Sequence, residues 1–294
     1  GVAFACSHLQ VKGTIYMPVV TPKQKIDQTK MFGGEWVDVV LKGDTFDDSK
    51  KAAESFSQQE GKTFVHPFDD EKTIEGQATV GLEMLQQADN PIDYVFVAVG
   101  GGGLASGLCG TFQALSPNTK IIGVEPEGAP SMLESMEQGE LVELENIDKF
   151  IDGAAVQKVG SLTYPICKDH LYKMVTIPEG KVCQTILDLY NRDAIVVEPA
   201  GALTIAALDD FKEEIKGKNV VCVVSGSNND ITRKAEIKER ALLYAQLKHY
   251  FIVRFPQRPG ALKEFVADIL GPNDDITHFE YSKKSSRENA PAIV

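Results

Sequence analysis

Apolar positions along the chain follow two alternating rhythms. Short runs of β-branched and aromatic residues read as strands, and longer stretches with apolar residues three and four apart read as helices. Val2–Leu9 reads as the end of a helix, Gly13–Pro18 as a strand, and Pro22–Phe32 as a helix closed by Gly33-Gly34. Glu35–Val40 is the next strand. The segment Asp44-Thr45-Phe46-Asp47-Asp48 caps a helix running to Gln59, and Thr63–Val65 is a short strand. His66-Pro67-Phe68-Asp69-Asp70 breaks the rhythm before a helix over Thr73–Ala88. Further strands are expected at Val95–Val99, Lys120–Val124, Met174–Ile177, Ile195–Val197 and Val220–Val224. The helices between and after them are Leu104–Leu115, Val182–Arg192, Ala200–Phe211 and Asp230–Lys248. Strand–helix alternation of this kind implies an α/β fold with a parallel sheet.

At His249 the pattern changes. HYFIVRF alternates like a strand, PQRPG is a loop, Ala261–Leu270 is a helix, GPNDD is a turn and ITHFEYSKK is a second strand. This is a β-α-β start of a small separate domain. Pro291–Val294 reads as a strand cut at its first turn, so an edge strand of this domain is expected to lack a partner. The expected division is a partial small α/β lobe at 1–65, a large α/β lobe at 66–248 and a partial regulatory domain at 249–294. Gly1-Val2-Ala3-Phe4-Ala5 opens directly into a helix, without Met or cap, which reads as the interior of a longer protein.

The run Val95–Val99 is nearly all apolar, as in a strand buried on both faces, and Gly100, Gly101, Gly102 and Gly103 follow it. Strand, glycine loop and helix form a unit that brings bare N–H groups and the positive end of a helix to one point. That unit reads as a phosphate cradle. The spacing Gly100-x-Gly102-x-x-Ala105, with Glu125 at the end of the next strand, also meets the loose dinucleotide fingerprint. The loop alone leaves both readings open.

Composition narrows the classes. Net charge is −12 over 294 residues, which argues against nucleic acid or an anionic membrane as the partner. Hydrophobic residues make up 43 %, but no apolar run reaches the length of a membrane span. The five cysteines, Cys6, Cys109, Cys167, Cys183 and Cys222, are odd in number and widely spaced, as expected of reduced, mostly buried thiols in a cytoplasmic protein. The five histidines show no ligand spacing, so no metal is expected.

Several segments together resemble the pyridoxal-phosphate enzymes of fold type II: VAVGGGGLASG at 97–107, HPFDD…I-x-GQ-x-T at 66–79, EPAGA at 198–202 and SGSN at 225–228. Within that group they are most similar to the biosynthetic threonine dehydratases. The tail segments FPQRPGAL at 255–262 and GPNDDIT at 271–277 resemble the ACT-like regulatory domain of those enzymes. The resemblance implies two-lobe fold-type-II architecture, like that of the tryptophan synthase β chain, plus a partial α+β ACT-like domain. It implies pyridoxal 5'-phosphate as cofactor, held by the backbone of Gly100, Gly101, Gly102, Gly103 and Leu104. Ser225 would face the ring nitrogen and Gly153 would pass close to the ring. A hydroxyl cannot keep that nitrogen protonated as an aspartate would, so the ring would be a weaker electron sink. The implied activity is ammonia-lyase conversion of L-threonine, with L-serine the other candidate substrate, to 2-oxobutanoate and ammonia, the first committed step of isoleucine biosynthesis. Isoleucine, with valine the other candidate, would be the allosteric effector of a homotetramer. Glu125 with Ala129 resembles part of a cation site in serine racemases, but Ser131 stands where those have an acid.

Two family segments do not occur: the S-x-K-x-R that carries the Schiff-base lysine and the S-x-G-N-H that grips the substrate carboxylate. Lys12, Lys23, Lys25 and Lys30 read as solvent-facing charges. The chain is therefore expected to be truncated at both ends, to hold no catalytic residue of its own and to be inactive alone. A serine dehydratase or racemase, or a non-catalytic relic that senses an amino acid, are the alternatives.

Overall fold

The computed structural model describes residues 1–44, 46–281 and 289–294; Thr45 of the expected helix cap and Ser282, Lys283 and Lys284 of the expected tail strand lie outside the described residues. A small parallel layer comes first. Val2–Leu9 (α1), Lys23–Gly33 (α2) and Phe46–Glu60 (α3) accompany the strands Gly13–Met17 (β1) and Val37–Leu41 (β2), which pair from Gly13↔Val37 to Met17↔Leu41. Thr63–Val65, expected as a strand, has no ladder partner among the described residues; with β1 it lines a cleft of about 850 Å³.

Glu71–Gln87 (α4) follows the His66–Asp70 corner. Its start is set by Asp70, whose carboxylate accepts from the N–H groups of Lys72 and Thr73. The central sheet has strand order β5-β4-β3-β6 and is parallel throughout. It comprises Tyr94–Ala98 (β3), Lys120–Pro126 (β4), Lys173–Ile177 (β5) and Val220–Cys222 (β6). Val95, Phe96 and Val97 have no solvent exposure, as expected of a strand covered on both faces. Gly103–Leu115 (α5) packs against α4 so closely that a Cβ on Gly107 would lie 2.6 Å from the backbone nitrogen of Ala78.

Ser131–Gln138 (α6) and Thr163–His170 (α7) are short helices outside the expected set of elements. Glu179–Asp193 (α8), Pro199–Ala206 (α9) and Lys234–Tyr244 (α10) complete the layer. Ile195–Val197 is not the expected strand: among the described residues no strand pairs with it, Ile195 and Val196 are exposed, and the segment leads into α9. The chain divides into two compact units, 1–240 and 241–294, and α10 carries the chain across that boundary.

The second unit comprises Ile252–Pro256 (β7), Ala261–Asp268 (α11), Glu280–Tyr281 (β8) and Asn289–Ile293 (β9) in a sheet of order β7-β9-β8. The strand read as cut at Pro291–Val294 is paired on both sides. β9 is the central strand and pairs antiparallel with β7 and with β8, which leaves β7 and β8 at the edges. Phe255 anchors its core, edge-on to Phe265 at 5.2 Å and to Phe279 at 6.0 Å between ring centroids.

Candidate functional site

The glycine loop leaves β3 and enters α5 at the C-terminal edge of the sheet, where ligands of open α/β sheets bind. Gly102 is the N-cap of α5 with φ +92°, a conformation that other residues enter only with strain, and no side chain caps the helix. The carbonyls of the loop are tied down. Gly101 O accepts from Thr163 Oγ1 at 2.6 Å and from Gly160 N–H at 3.2 Å, and Gly102 O accepts from Ser106 N–H at 2.8 Å. By contrast, among the described residues no protein acceptor meets the backbone N–H groups of Gly100 through Leu104.

The opposite side of the loop is packed tight. A Cβ on Gly101 would strike the Phe68 ring at 2.3 Å. Glycine therefore serves close packing behind the loop as much as ligand approach in front of it. Buried, unpaired N–H groups at a helix start are costly without an anion, so the loop fits a phosphate.

Two supports of the loop were not read from the sequence. Thr163 lies at the start of α7, and α7 is held by Asp69, which accepts from Ser161 N–H (2.9 Å), Ser161 Oγ (3.0 Å) and Leu162 N–H (2.8 Å). Burial pushes the Asp69 carboxyl up, but these hydrogen bonds outweigh it and hold it below its ordinary value. His66 Nδ1 accepts from Asp69 N–H at 2.8 Å, and burial depresses its pKa. The HPFDD segment thus braces the cradle, a role visible in the sequence only as a break in rhythm.

Ser225 lies three residues beyond Cys222, the last residue of β6, and is exposed. Because Phe96 pairs with Cys222, the ladder brings Gly100 and Ser225 to the same end of adjacent strands. The strand exit is fixed by Thr204 Oγ1, which donates to Val223 O at 3.1 Å. Beyond it, the buried side-chain oxygens of Asn228 and Asn229 have no hydrogen-bond partner among the described residues.

Gly153 joins the same neighbourhood. A Cβ there would lie 2.8 Å from Ala200 Cβ, and a Cβ on Gly100 would lie 3.4 Å from Gly153 O. Lys25, read as a solvent-facing charge, instead bridges from α2 to Asp152 at 2.5 Å, next to Gly153. Half-buried Glu198 sits at the start of α9. Burial raises its pKa, and Lys25 opposes that shift.

Glu125 closes β4 with no solvent exposure. Its carboxylate accepts from Met132 N–H at 2.7 Å and Leu133 N–H at 2.9 Å, with Ser131 Oγ at 3.5 Å, so it serves the start of α6. Burial pushes its pKa up to about 8. No group of three potential metal ligands occurs among the described residues. All five cysteines are free thiols, and burial pushes Cys167 up to about 12.

Residues 1–226 match the family described as pyridoxal-phosphate-dependent enzymes, and residues 239–294 match the C-terminal regulatory domain of threonine dehydratase. The biosynthetic L-threonine dehydratase of Halalkalibacterium halodurans is 58 % identical over the whole chain, which covers 71 % of that relative. The corresponding Bacillus subtilis protein is 53 % identical over the whole chain, which covers 70 % of it. Among solved structures, the processed threonine deaminase isoform 2 of Solanum lycopersicum aligns with a TM-score of 0.76 at 40 % identity. That alignment covers 82 % of this chain and 69 % of the tomato chain. Maize serine racemase aligns with a TM-score of 0.74 at 26 % identity, covering 83 % and 74 % of the two chains.

Proposed function

The chain belongs to the pyridoxal-phosphate-dependent enzymes, and from that premise we propose that it serves as a biosynthetic threonine dehydratase with an amino-acid-responsive regulatory domain. The observation that carries the site assignment is the set of unpartnered N–H groups from Gly100 to Leu104 at the start of α5. These groups would hold the cofactor phosphate and add the positive end of the helix. Ser225 would meet the ring nitrogen, since β6 delivers it to the same sheet edge. Gly153 would lie against the ring face, in a backbone position where a side chain would strike Ala200. When bound, pyridoxal phosphate supplies the electron sink that lets an amino acid lose its α-proton and then its β-hydroxyl.

The chain's own residues then have defined work. The loop anchors the phosphate and fixes where the ring lies. A serine hydroxyl beside the ring nitrogen hydrogen-bonds it without donating a full positive charge. The proton-transferring and imine-forming amine would come from an S-x-K-x-R segment, which residues 1–294 do not contain. The lobes read as 1–65 and 66–248, with the ACT-like domain at 249–294. In that domain a cavity of about 170 Å³ lined by Phe255, Phe279, Tyr281 and Arg258 suits an apolar amino acid such as isoleucine or valine. The proposal extends to a cytoplasmic homotetramer, with L-threonine preferred to L-serine.

The test is 2-oxobutanoate release from L-threonine, measured side by side on residues 1–294 and on the same chain joined to the family's S-x-K-x-R segment. The joined chain is expected to turn over, Ser225→Asp in it to slow the elimination, and residues 1–294 to be silent. A general base alone contributes about 10²–10⁴ in rate. Comparable turnover by both forms contradicts the assignment.

A further inference from the structure

The segment Asp148–Gly153 runs from Gly128 to the glycine loop, and it is gripped near its middle. Phe150, 4 % exposed, has the Arg240 guanidinium carbon 4.2 Å from its ring centroid and that of Arg233 at 4.5 Å. Arg233 Nη2 also donates to Phe150 O at 2.9 Å, and Arg240 Nη1 donates to Asp148 Oδ2 at 3.0 Å. Glu236, on α10 with Arg240, bonds both arginines and orients them: 3.1 Å to Arg240 Nε and 3.5 Å to Arg233 Nε. Beyond Phe150, Ile151 is fully buried, and three residues on the chain is Gly153, packed against Ala200 and Gly100.

An aromatic ring with two cations over it is a specific arrangement. A buried phenylalanine is satisfied by apolar neighbours alone, whereas here the guanidinium faces and a main-chain hydrogen bond fix both the ring and the backbone that follows it. The contacts fix the position of Phe150 along the segment, and a two-residue link, buried Ile151 and exposed Asp152, passes that position to Gly153.

We propose that Arg233 and Arg240 are positioning residues for the cofactor: by gripping Phe150 they set where Gly153 lies against the ring face, while the phosphate is left to Gly100–Leu104. This rests on the reading that pyridoxal phosphate binds at the glycine loop. Arg240 lies on α10, which carries the chain from the first unit to residue 241, and Arg233 ends the turn directly before that helix. A displacement of α10 would therefore reach Gly153 through Phe150.

Separating the ring from the phosphate tests the proposal. Affinities for pyridoxal 5'-phosphate and for inorganic phosphate are measured by calorimetry on the whole chain, for the parent, Phe150→Leu and Phe150→Tyr. Phe150→Leu keeps an apolar filler but removes the π face. It is expected to weaken pyridoxal phosphate about tenfold, the scale of a desolvated cation–π contact, and to leave inorganic phosphate within about twofold. Phe150→Tyr is expected to restore the parent value. If Phe150→Leu does not fold, the double variant Arg233→Lys/Arg240→Lys, which keeps charge and loses the planar forks, is read the same way. Unchanged pyridoxal phosphate affinity, or an equal loss for both ligands, overturns the proposal. A parent chain that binds inorganic phosphate but pyridoxal phosphate no more tightly overturns the cofactor reading itself, and the clamp with it.

Discussion

Glu125 shows what a single residue can conceal. As a sequence position it is an acid ending a strand, open to reading as a ribose ligand or a cation ligand. In the fold it has no exposure and accepts from two N–H groups of α6. Its partners are main-chain N–H groups, and no residue type in the sequence marks those. Burial raises its folded pKa to about 8 from an ordinary 4.5, so between those values the folded state holds the proton more tightly than the unfolded chain does. Stability carried by this group is therefore present at low pH and is lost as pH rises through that window. Glu125→Gln is expected to remove that slope. The check is urea midpoints from pH 5 to 8 for parent and variant; equal slopes would show that the carboxyl does not titrate there.

Among the elements, the ones legible in the sequence are those whose burial is complete or whose ends are marked. β3 reads correctly because it is apolar at every position, and α5 because four glycines precede it. Thr63–Val65 and Ile195–Val197 have strand composition but no ladder partner among the described residues, and composition alone cannot supply one. The reverse failure is α7, whose start is defined by Asp69 from nearly a hundred residues upstream. Asp69→Ala strips that carboxylate from two N–H groups and a hydroxyl. It is expected to cost about 1–3 kcal/mol in unfolding free energy. It is also expected to loosen Thr163, which holds Gly101 O. Chemical denaturation of the first unit measures the first effect; a loss below about 0.5 kcal/mol would mean that α7 starts without its cap.

For the molecule as a whole, the residues proposed to hold the cofactor all lie within 1–240, and the regulatory domain forms its own unit with its own aromatic core. The glycine loop and Ser225 stand out as candidates in the sequence because each follows an apolar strand within three residues. Lys25 was not legible, since its partner Asp152 belongs to a segment far along the chain. The central claim is that the cradle recognises a phosphate through backbone N–H groups. The most direct measurement is a titration of the chain with pyridoxal 5'-phosphate and with pyridoxal, repeated on Gly100→Asp, which sets a carboxylate beside the loop. The expected result is saturable binding of the phosphate ester only, at least tenfold weaker in the variant. Equal binding of pyridoxal, or an unaffected Gly100→Asp, would contradict it.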